Sequence, residues 1–264
     1  MNLNNARPVC GTKHGGYILK ELNGYKIYKC YECGLEYTLP NPSDDDLAKF
    51  YSLYSDVRAS QEIVLLNAEK NIKLLERFGL SRDTSLVLDF GCGNGEFVEI
   101  CGSKCYGVDL KPDPTCDRIK NSLEELPIKK FDFITLFGVL EHLNDVVDVI
   151  NNLYHFLNDG GYLVTTTVNA EGAIPYWHKP PEHLTYWTKK SFTILAERFG
   201  LNIASYENYE MYQYSAVYLD RLLRRTPEEY VKMITGLDLP EIIYIPTNEV
   251  FVVMKKVKKY KRAV

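Results

Sequence analysis

The stretch Val87-Leu88-Asp89-Phe90-Gly91-Cys92-Gly93-Asn94-Gly95 decides how this chain of 264 residues folds. Its first half, preceded by Leu86, is a short apolar run that is typical of a buried β-strand. Its three glycines allow a tight turn and let the backbone approach a ligand where a Cβ would collide. A helical pattern opens at Glu96. Strand, glycine turn and helix start together predict a nucleotide-binding corner.

An acidic residue follows at the spacing expected of a ribose ligand. A second strand-like run over residues 105–108 ends at Asp109, about twenty residues after Asp89. A carboxylate in this place accepts hydrogen bonds from ribose hydroxyls. The dinucleotide-binding fingerprint requires a further glycine three residues after the second, where this chain has Glu96. A NAD-dependent enzyme is therefore the less favoured alternative.

The G-x-G-x-G spacing, with Asp89 two places before it, resembles motif I of the class I S-adenosylmethionine (SAM) dependent methyltransferases. The resemblance implies an α/β fold with a Rossmann-like seven-stranded sheet and helices on both faces. It also implies that the glycine loop contacts the amino-acid and ribose parts of SAM, and that Asp109 holds the ribose. The cofactor-binding residues implied in this way are Asp89, Gly91, Cys92, Gly93, Asn94, Gly95, Asp109, Leu110, Ser122, Leu123, Phe137, Gly138 and Tyr54.

Residues 1–40 are predicted to form a small module of their own. Asn23-Gly24 between two strand-like runs is a strong hairpin signal, and Cys30-x2-Cys33 has the spacing of a zinc half-site. The module resembles the zinc ribbon that precedes many small-molecule methyltransferases, although Arg7 stands where the first cysteine of that ribbon belongs. A zinc-free hairpin is the alternative to a structural Zn²⁺. The candidate ligands are Cys10, His14, Cys30 and Cys33.

Residues 41–264 are predicted to form the methyltransferase domain. Prolines at 112 and 114 predict that the crossover helix after Asp109 is short or missing, and Asn158-Asp159-Gly160-Gly161 is expected to end a helix. Segments 41–78, 168–187 and 207–240 are expected to form cap or lid elements, with ordinary helical cover as the alternative. The predicted helices are 60–78, 145–157 and 188–199, and the predicted strands are 116–120, 131–137, 162–167, 201–206 and 250–255.

The residues that follow the fourth strand point to chemistry. Gly138-Val139-Leu140-Glu141-His142-Leu143 resembles the post-strand motif of the ubiquinone-pathway and related O-methyltransferases. Ligands of open α/β sheets bind at the carboxyl ends of the strands. His183, in a proline-bounded loop, is the first candidate base because an imidazole titrates near neutral pH. A structural role is the alternative for each side chain. The candidate catalytic residues are His183, His142, Glu141 and His178.

Composition and charge limit the classes of function. A net charge of −4 gives no general attraction to nucleic acid. No apolar run has transmembrane length, the first five residues lack the apolar region of a signal peptide, and seven cysteines are an odd number. We therefore expect a cytoplasmic protein with neither a membrane anchor nor a disulfide framework.

The methyl acceptor is predicted to be a small metabolite. Tyrosines and tryptophans in segments 168–187 and 207–240 suit rings that stack on aromatic faces, such as sugars or nucleotide sugars. The resemblance points towards O- or N-methylation in glycan or secondary-metabolite pathways. Two alternatives stay open: an RNA methyltransferase that binds RNA through the ribbon, and a non-catalytic SAM-binding interaction protein.

Overall fold

The structure is a computed structural model that describes residues 9–11, 15–43, 45–47, 50, 60–111, 116–174, 176, 178–223, 236 and 238–257. It contains two sheets, five α-helices and two short 3-10 helices whose bounds are described, and residues 45–47 and 50 are also helical, near the start expected from the Ser43/Asp46 cap. The strands are β1 (Gly16–Leu22), β2 (Tyr25–Cys30), β3 (Glu36–Leu39), β4 (Val87–Phe90), β5 (Cys105–Val108), β6 (Ile119–Lys120), β7 (Phe131–Phe137), β8 (Leu157–Val168), β9 (Thr185–Tyr186), β10 (Leu201–Tyr214) and β11 (Ile242–Lys256). The α-helices are α1 (Gln61–Glu76), α2 (Glu96–Cys101), α3 (Val146–Phe156), α4 (Lys189–Phe199) and α5 (Ser215–Leu223), and the 3-10 helices span Leu123–Glu125 and Leu140–His142.

The larger sheet has seven strands in the order β10-β11-β8-β7-β4-β5-β6. Its strands from β8 to β6 run parallel, β11 is antiparallel to β8, and β10 is antiparallel to β11. Apolar residues of α1 and α2 pack on one face, and those of α3 and α4 pack on the other. This arrangement confirms the predicted α/β fold. The carboxyl ends of β4, β5, β7 and β8 consequently lie along one edge, which we call the carboxyl edge.

The helices begin and end where local chemistry favours it. The Ser60 hydroxyl accepts a hydrogen bond from the backbone N–H of Ile63 and starts α1. Thr188 and Ser191 form a reciprocal capping box at the start of α4, and Gly200 ends that helix in the left-handed region at φ 64°. Asp145 caps α3 through the N–H of Asp148. The structure confirms the three predicted helices to within a few residues.

The strands β6 and β8 begin at other residues than predicted. The described part of the segment after β5 forms no helix, and β6 has only two residues instead of five. β8 begins at Leu157, directly after α3, so Asn158–Gly161 does not separate helix from strand as predicted. These four residues instead form an irregularity between the pairs Phe131↔Leu157 and Phe133↔Tyr162.

The last two strands are longer than the sequence pattern suggests. β10 and β11 pair with each other from Leu201↔Lys256 to Tyr214↔Ile242, well beyond the edge of the parallel strands. Residues 207–214, which were expected in a lid, therefore belong to this two-stranded ribbon. The rings of Tyr212 and Tyr244 pack across it with their centroids 4.8 Å apart. Cross-strand aromatic contacts of this kind stabilise the ribbon, and Asn67 of α1 adds hydrogen bonds to the backbone N–H and carbonyl of Tyr212.

The smaller sheet joins the N-terminal module to a distant segment. Its strand order is β1-β2-β3-β9, and the turn at Asn23 and Gly24, with φ 53° and 81°, confirms the predicted hairpin. β9 comes from residues 185–186 and pairs with β3 through Glu36↔Tyr186 and Tyr37↔Thr185. The segment between β8 and α4 thus completes the module's sheet. The division into domains 1–40 and 41–264 stays a prediction.

Candidate active site at the carboxyl edge

The glycine loop after β4 is held in a conformation that only glycine adopts easily. Gly91, Gly93 and Gly95 have φ angles of 76°, 56° and 86°. A Cβ on Gly91 would lie 2.5 Å from Cγ2 of Val139, so the loop that follows β7 packs directly on this glycine. A Cβ on Gly93 would meet nothing within 4 Å. The backbone at Gly93 is therefore open to a ligand, as a cofactor cradle requires.

Asp109 links the glycine loop to the end of β5. Its Oδ2 accepts a hydrogen bond of 2.9 Å from the N–H of Gly93, and its Oδ1 accepts one of 2.9 Å from the N–H of Lys111. A carboxylate has about four acceptor positions, so lone pairs remain for ribose hydroxyls. Asp89 lies beneath the loop, where burial raises its pKa to about 7 and its Oδ1 accepts from the Thr135 hydroxyl at 2.7 Å.

The other proposed cofactor residues fall into two groups. Leu110 is 93% exposed beside Asp109, and a Cβ on Gly138 would meet nothing within 4 Å, so both are accessible from the carboxyl edge. Leu123 packs into the core with 8% exposure, and little of it is open to an adenine ring. The ring of Phe137 packs against that of Phe97, with the two ring centroids 5.2 Å apart.

Polar members of the same proposed set have local partners. The Ser122 hydroxyl donates to Glu125, the Asn94 amide donates to Glu96, and the Cys92 thiol is buried beneath the loop. Tyr54 lies outside the described residues. The assignment of individual SAM contacts stays a prediction.

The fold brings together three of the four proposed catalytic residues. Glu141 and His142 lie in the 3-10 helix after β7, and His183 lies in the loop before β9. Donor atoms of the three side chains all lie within 4.8 Å of one another. The backbone N–H of Leu184 donates to the Glu141 carbonyl at 2.7 Å, which holds the two segments together. We call these three residues the Glu-His-His cluster.

Burial dominates the electrostatics of this cluster. It raises the pKa of Glu141 to about 7, and the Thr167 hydroxyl donates to Oε2 at 2.8 Å. It lowers the pKa of His142, whose Nδ1 donates to the Glu182 carbonyl at 2.8 Å. It lowers the pKa of His183 to about 3, helped by the charges of His142 and Lys179. An imidazole with so low a pKa is a weak proton acceptor at neutral pH, which argues against His183 as the base.

His178, the fourth candidate, has a structural partner. Its Nε2 lies 2.9 Å from Oε2 of Glu36, a buried residue of β3. The same carboxylate accepts from the Tyr176 hydroxyl at 2.6 Å and from Lys29 Nζ at 3.1 Å. Burial pushes the pKa of Glu36 upward, but these hydrogen bonds outweigh burial and lower it. His178 thus ties the loop to the module, and a place for it in catalysis stays a prediction.

Sequence reasoning missed three charged residues of this region. Lys70 is buried on α1, where its Nζ donates to the Glu210 carbonyl at 2.6 Å and burial lowers its pKa to about 7. Burial and the charge of Glu141 raise the pKa of Glu249, where β11 begins to pair with β8, to about 7. The third is Glu36. One sequence feature could have identified two of these residues, namely a charged residue within an otherwise apolar pattern. Glu36 interrupts the run Leu35–Leu39, and Lys70 interrupts the buried positions of α1.

The N-terminal module brings three cysteines together. Donor atoms of Cys10, Cys30 and Cys33 lie within 4.8 Å of one another, and the sulfurs of Cys10 and Cys30 are 3.7 Å apart. Thiolates in such a group are ligands that zinc prefers. His14, the proposed fourth ligand, and Arg7 lie outside the described residues. The cysteine cluster fits three of the four positions of a structural zinc site, and zinc itself stays a proposal.

A parallel sheet continued by an antiparallel ribbon, with a glycine loop and a ribose-type carboxylate at its carboxyl edge, defines a class I SAM-dependent methyltransferase. The sequence profile of a family described as "Methyltransferase domain" matches residues 65–206, which is just over half of the chain. The chain belongs to this family. SAM as its cofactor follows from that membership.

The individual proteins that the chain resembles have low sequence identity to it. The chain is 31% identical over 120 residues to the mitochondrial ubiquinone biosynthesis O-methyltransferase of Candida albicans, covering 37% of each chain. It is 24% identical over 199 residues to the tRNA U34 carboxymethyltransferase of Aliarcobacter butzleri, covering 62% of this chain and 65% of that one. A solved SAM-dependent methyltransferase from Archaeoglobus fulgidus superposes with a TM-score of 0.48 and 20% identity, over 72% of this chain and 94% of that one. The chain spans between about a third and two thirds of the length of these curated relatives.

No helix in the described part of the chain is both long enough and apolar enough to cross a bilayer. No disulfide joins the seven described cysteines. Neither finding identifies a compartment.

We expect Asp109→Ala to weaken SAM binding by about 1.5–3 kcal/mol, roughly 10- to 100-fold, because hydrogen bonds to a charged group are lost. Calorimetric titration with SAM measures the change. Asp109→Asn should lose less, since its carbonyl can still accept from Gly93. The exposed Asp83→Ala is the matched control and should bind SAM like the wild type. Equal SAM affinity in Asp109→Ala and the control would disprove the assignment.

Proposed function

We propose that this chain transfers the methyl group of SAM to an oxygen or nitrogen atom of a small, hydrophilic metabolite such as a sugar or nucleotide sugar. One observation carries the proposal: the Glu-His-His cluster lies at the same edge of the sheet as the glycine loop and Asp109. A bound acceptor would meet the cluster on one side and the cofactor on the other.

The chain's own residues then have separate tasks. SAM supplies an electrophilic methyl group on a sulfonium that is a good leaving group. Gly93 and Asp109 hold and orient the cofactor, and correct alignment of two reactants can lower a barrier by roughly 7–11 kcal/mol. The Glu-His-His cluster holds the reacting atom of the acceptor and favours loss of its proton, which contributes about two to four powers of ten.

The polarity of the region supports a hydrophilic acceptor. Lys70, Glu249, Lys179 and Glu182 are charged residues whose fields act on one another or on the cluster. Such groups favour a ligand with several hydroxyls over an apolar one. Tyr186 and Trp187 are fully buried, so they support the loop rather than face a sugar ring. Tyr244, which is 46% exposed on the ribbon, remains available for stacking.

An RNA acceptor is the second candidate. It is favoured by the relative from Aliarcobacter butzleri, whose name includes tRNA and which matches 62% of this chain. It is disfavoured by the net charge of −4, since phosphate contacts depend on lysine and arginine.

We also propose that the protein is cytoplasmic and that its cysteine cluster binds a structural zinc ion.

The test is a methyl-transfer assay with isotopically labelled SAM. Purified chain is incubated with a panel of nucleotide sugars and, separately, with total tRNA, and release of S-adenosylhomocysteine is measured. We expect label in a nucleotide sugar and none in tRNA, with the rate of Asp109→Ala reduced roughly 5- to 50-fold at SAM concentrations near the wild-type Kd, as its weaker SAM binding implies. Label in tRNA alone would favour the RNA methyltransferase. SAM binding by calorimetry without turnover on any acceptor would favour the non-catalytic binding protein.

A further inference from the structure

We propose that the Glu-His-His cluster is a binding site for a divalent transition-metal cation. The three side chains supply one carboxylate oxygen and two imidazole nitrogens, all within 4.8 Å of one another. Two imidazoles and one carboxylate are a ligand set found for catalytic zinc and for non-haem iron. Three protein ligands leave at least one coordination position open for another molecule.

The strongest single observation is an unpartnered polar atom. Nδ1 of His183 is buried and has no hydrogen-bond partner in the described part of the structure. Buried polar atoms are nearly always paired, so an orphan of this kind calls for a specific explanation. A metal ion on this nitrogen provides one, because coordination uses the lone pair that no protein donor reaches.

Hydrogen bonds around the cluster orient it as a metal site requires. His142 donates from Nδ1 to the Glu182 carbonyl at 2.8 Å, which directs the lone pair to Nε2. Glu141 accepts from the Thr167 hydroxyl at 2.8 Å. A backbone carbonyl behind a histidine ligand and a donor behind a carboxylate ligand are the usual outer partners of bound metals.

The donor atoms must move closer together to share one ion. The rings of His142 and His183 are perpendicular, at 89°, with centroids 4.9 Å apart. Ligand atoms at about 2.1 Å from a tetrahedral ion are about 3.4 Å apart. Since the donor atoms lie within 4.8 Å of one another, closing the site requires each pair to approach by up to about 1.4 Å, which rotations of the side chains provide.

The site differs in chemistry from the cysteine cluster of the N-terminal module. Thiolates select soft ions, whereas a carboxylate with imidazoles also accepts harder ions such as Mn²⁺. Its place at the carboxyl edge lets a bound cation contact an oxygen of the acceptor. That use of the ion rests on the proposed function, but binding of the ion does not.

Binding of Mn²⁺ to the purified full chain tests the proposal through the electron paramagnetic resonance signal of the free ion. We expect one Mn²⁺ per chain, bound at least about tenfold more weakly by His183→Ala and by the nearly isosteric Glu141→Gln. His155→Ala, an exposed histidine on α3, is the matched control and should bind like the wild type. Thermal melts identify any variant that fails to fold. Visible absorption of the Co²⁺ form should show no intense thiolate-to-metal band from this ion.

Absence of stoichiometric Mn²⁺ binding to the wild type would overturn the proposal, and so would equal affinity in Glu141→Gln and the control. The readout involves neither SAM nor an acceptor, so the two proposals fail separately. A chain that methylates an acceptor but binds no Mn²⁺ contradicts the metal site alone. A chain that binds Mn²⁺ through the cluster but transfers no methyl group supports the metal site and contradicts only the proposed function.

Discussion

Replacing Glu141 with glutamine is expected to lower methyl transfer by about two to four powers of ten while leaving SAM affinity unchanged. Glutamine has nearly the same shape and its carbonyl can still accept from Thr167, so folding should be preserved. What is lost is the negative charge of the cluster, which favours departure of the acceptor's proton. Single-turnover rates with labelled SAM measure the loss, and calorimetry measures SAM affinity.

The matched control for this prediction is Glu197→Gln, an exposed carboxylate on α4. A turnover rate in Glu141→Gln equal to that of the control would remove Glu141 from the mechanism. Turnover and Mn²⁺ affinity should fall together if the cluster works through a bound cation. If turnover falls while Mn²⁺ affinity is retained, Glu141 acts directly as a proton acceptor and the metal site is disproved.

Replacing Glu36 with alanine is expected to reduce the free energy of unfolding by about 3–5 kcal/mol, the usual cost of removing one partner from a buried charged group. Its carboxylate accepts from Lys29, Tyr176 and His178, and alanine leaves all three donors without this acceptor. Because β3 pairs with β9, the loop that carries His183 should also loosen. Urea unfolding measures the first effect, and the KM of the acceptor measures the second.

Glu32→Ala, an exposed carboxylate of the same module, is the control and should change stability by no more than about 0.5 kcal/mol. An equally small change in Glu36→Ala would refute the prediction. The pH dependence has a definite sign. The pKa of Glu36 is lowered in the folded state, so its stabilisation is present above the unfolded-state pKa, about 4.3, and is lost as pH falls through the lower folded-state pKa. The difference between wild type and Glu36→Ala should therefore shrink on acidification.

Local sequence patterns determined the cofactor side of this protein. The strand before Gly91, the glycine turn and Asp109 are close in sequence or follow a fixed βαβ spacing, so the tight-turn requirement of glycine and the period of the apolar residues were sufficient. The capped helix from Thr188 to Gly200 was predictable for the same reason, since capping chemistry lies within four residues of each helix end.

The lengths of β10 and β11 and the partners of the histidines were decided only by tertiary structure. Residues 207–214 become a strand because β11 supplies their hydrogen bonds. His178 and His183 stand five residues apart and both are candidate bases by sequence, yet one meets Glu36 of β3 and the other meets Glu141. Their pKa values and partners depend on burial and on side chains about 40 to 140 residues away, which no local pattern encodes. The sequence alone thus determined that SAM has a site, and the tertiary structure decided which charged groups come together at the carboxyl edge, because long-range packing sets which charges are buried together.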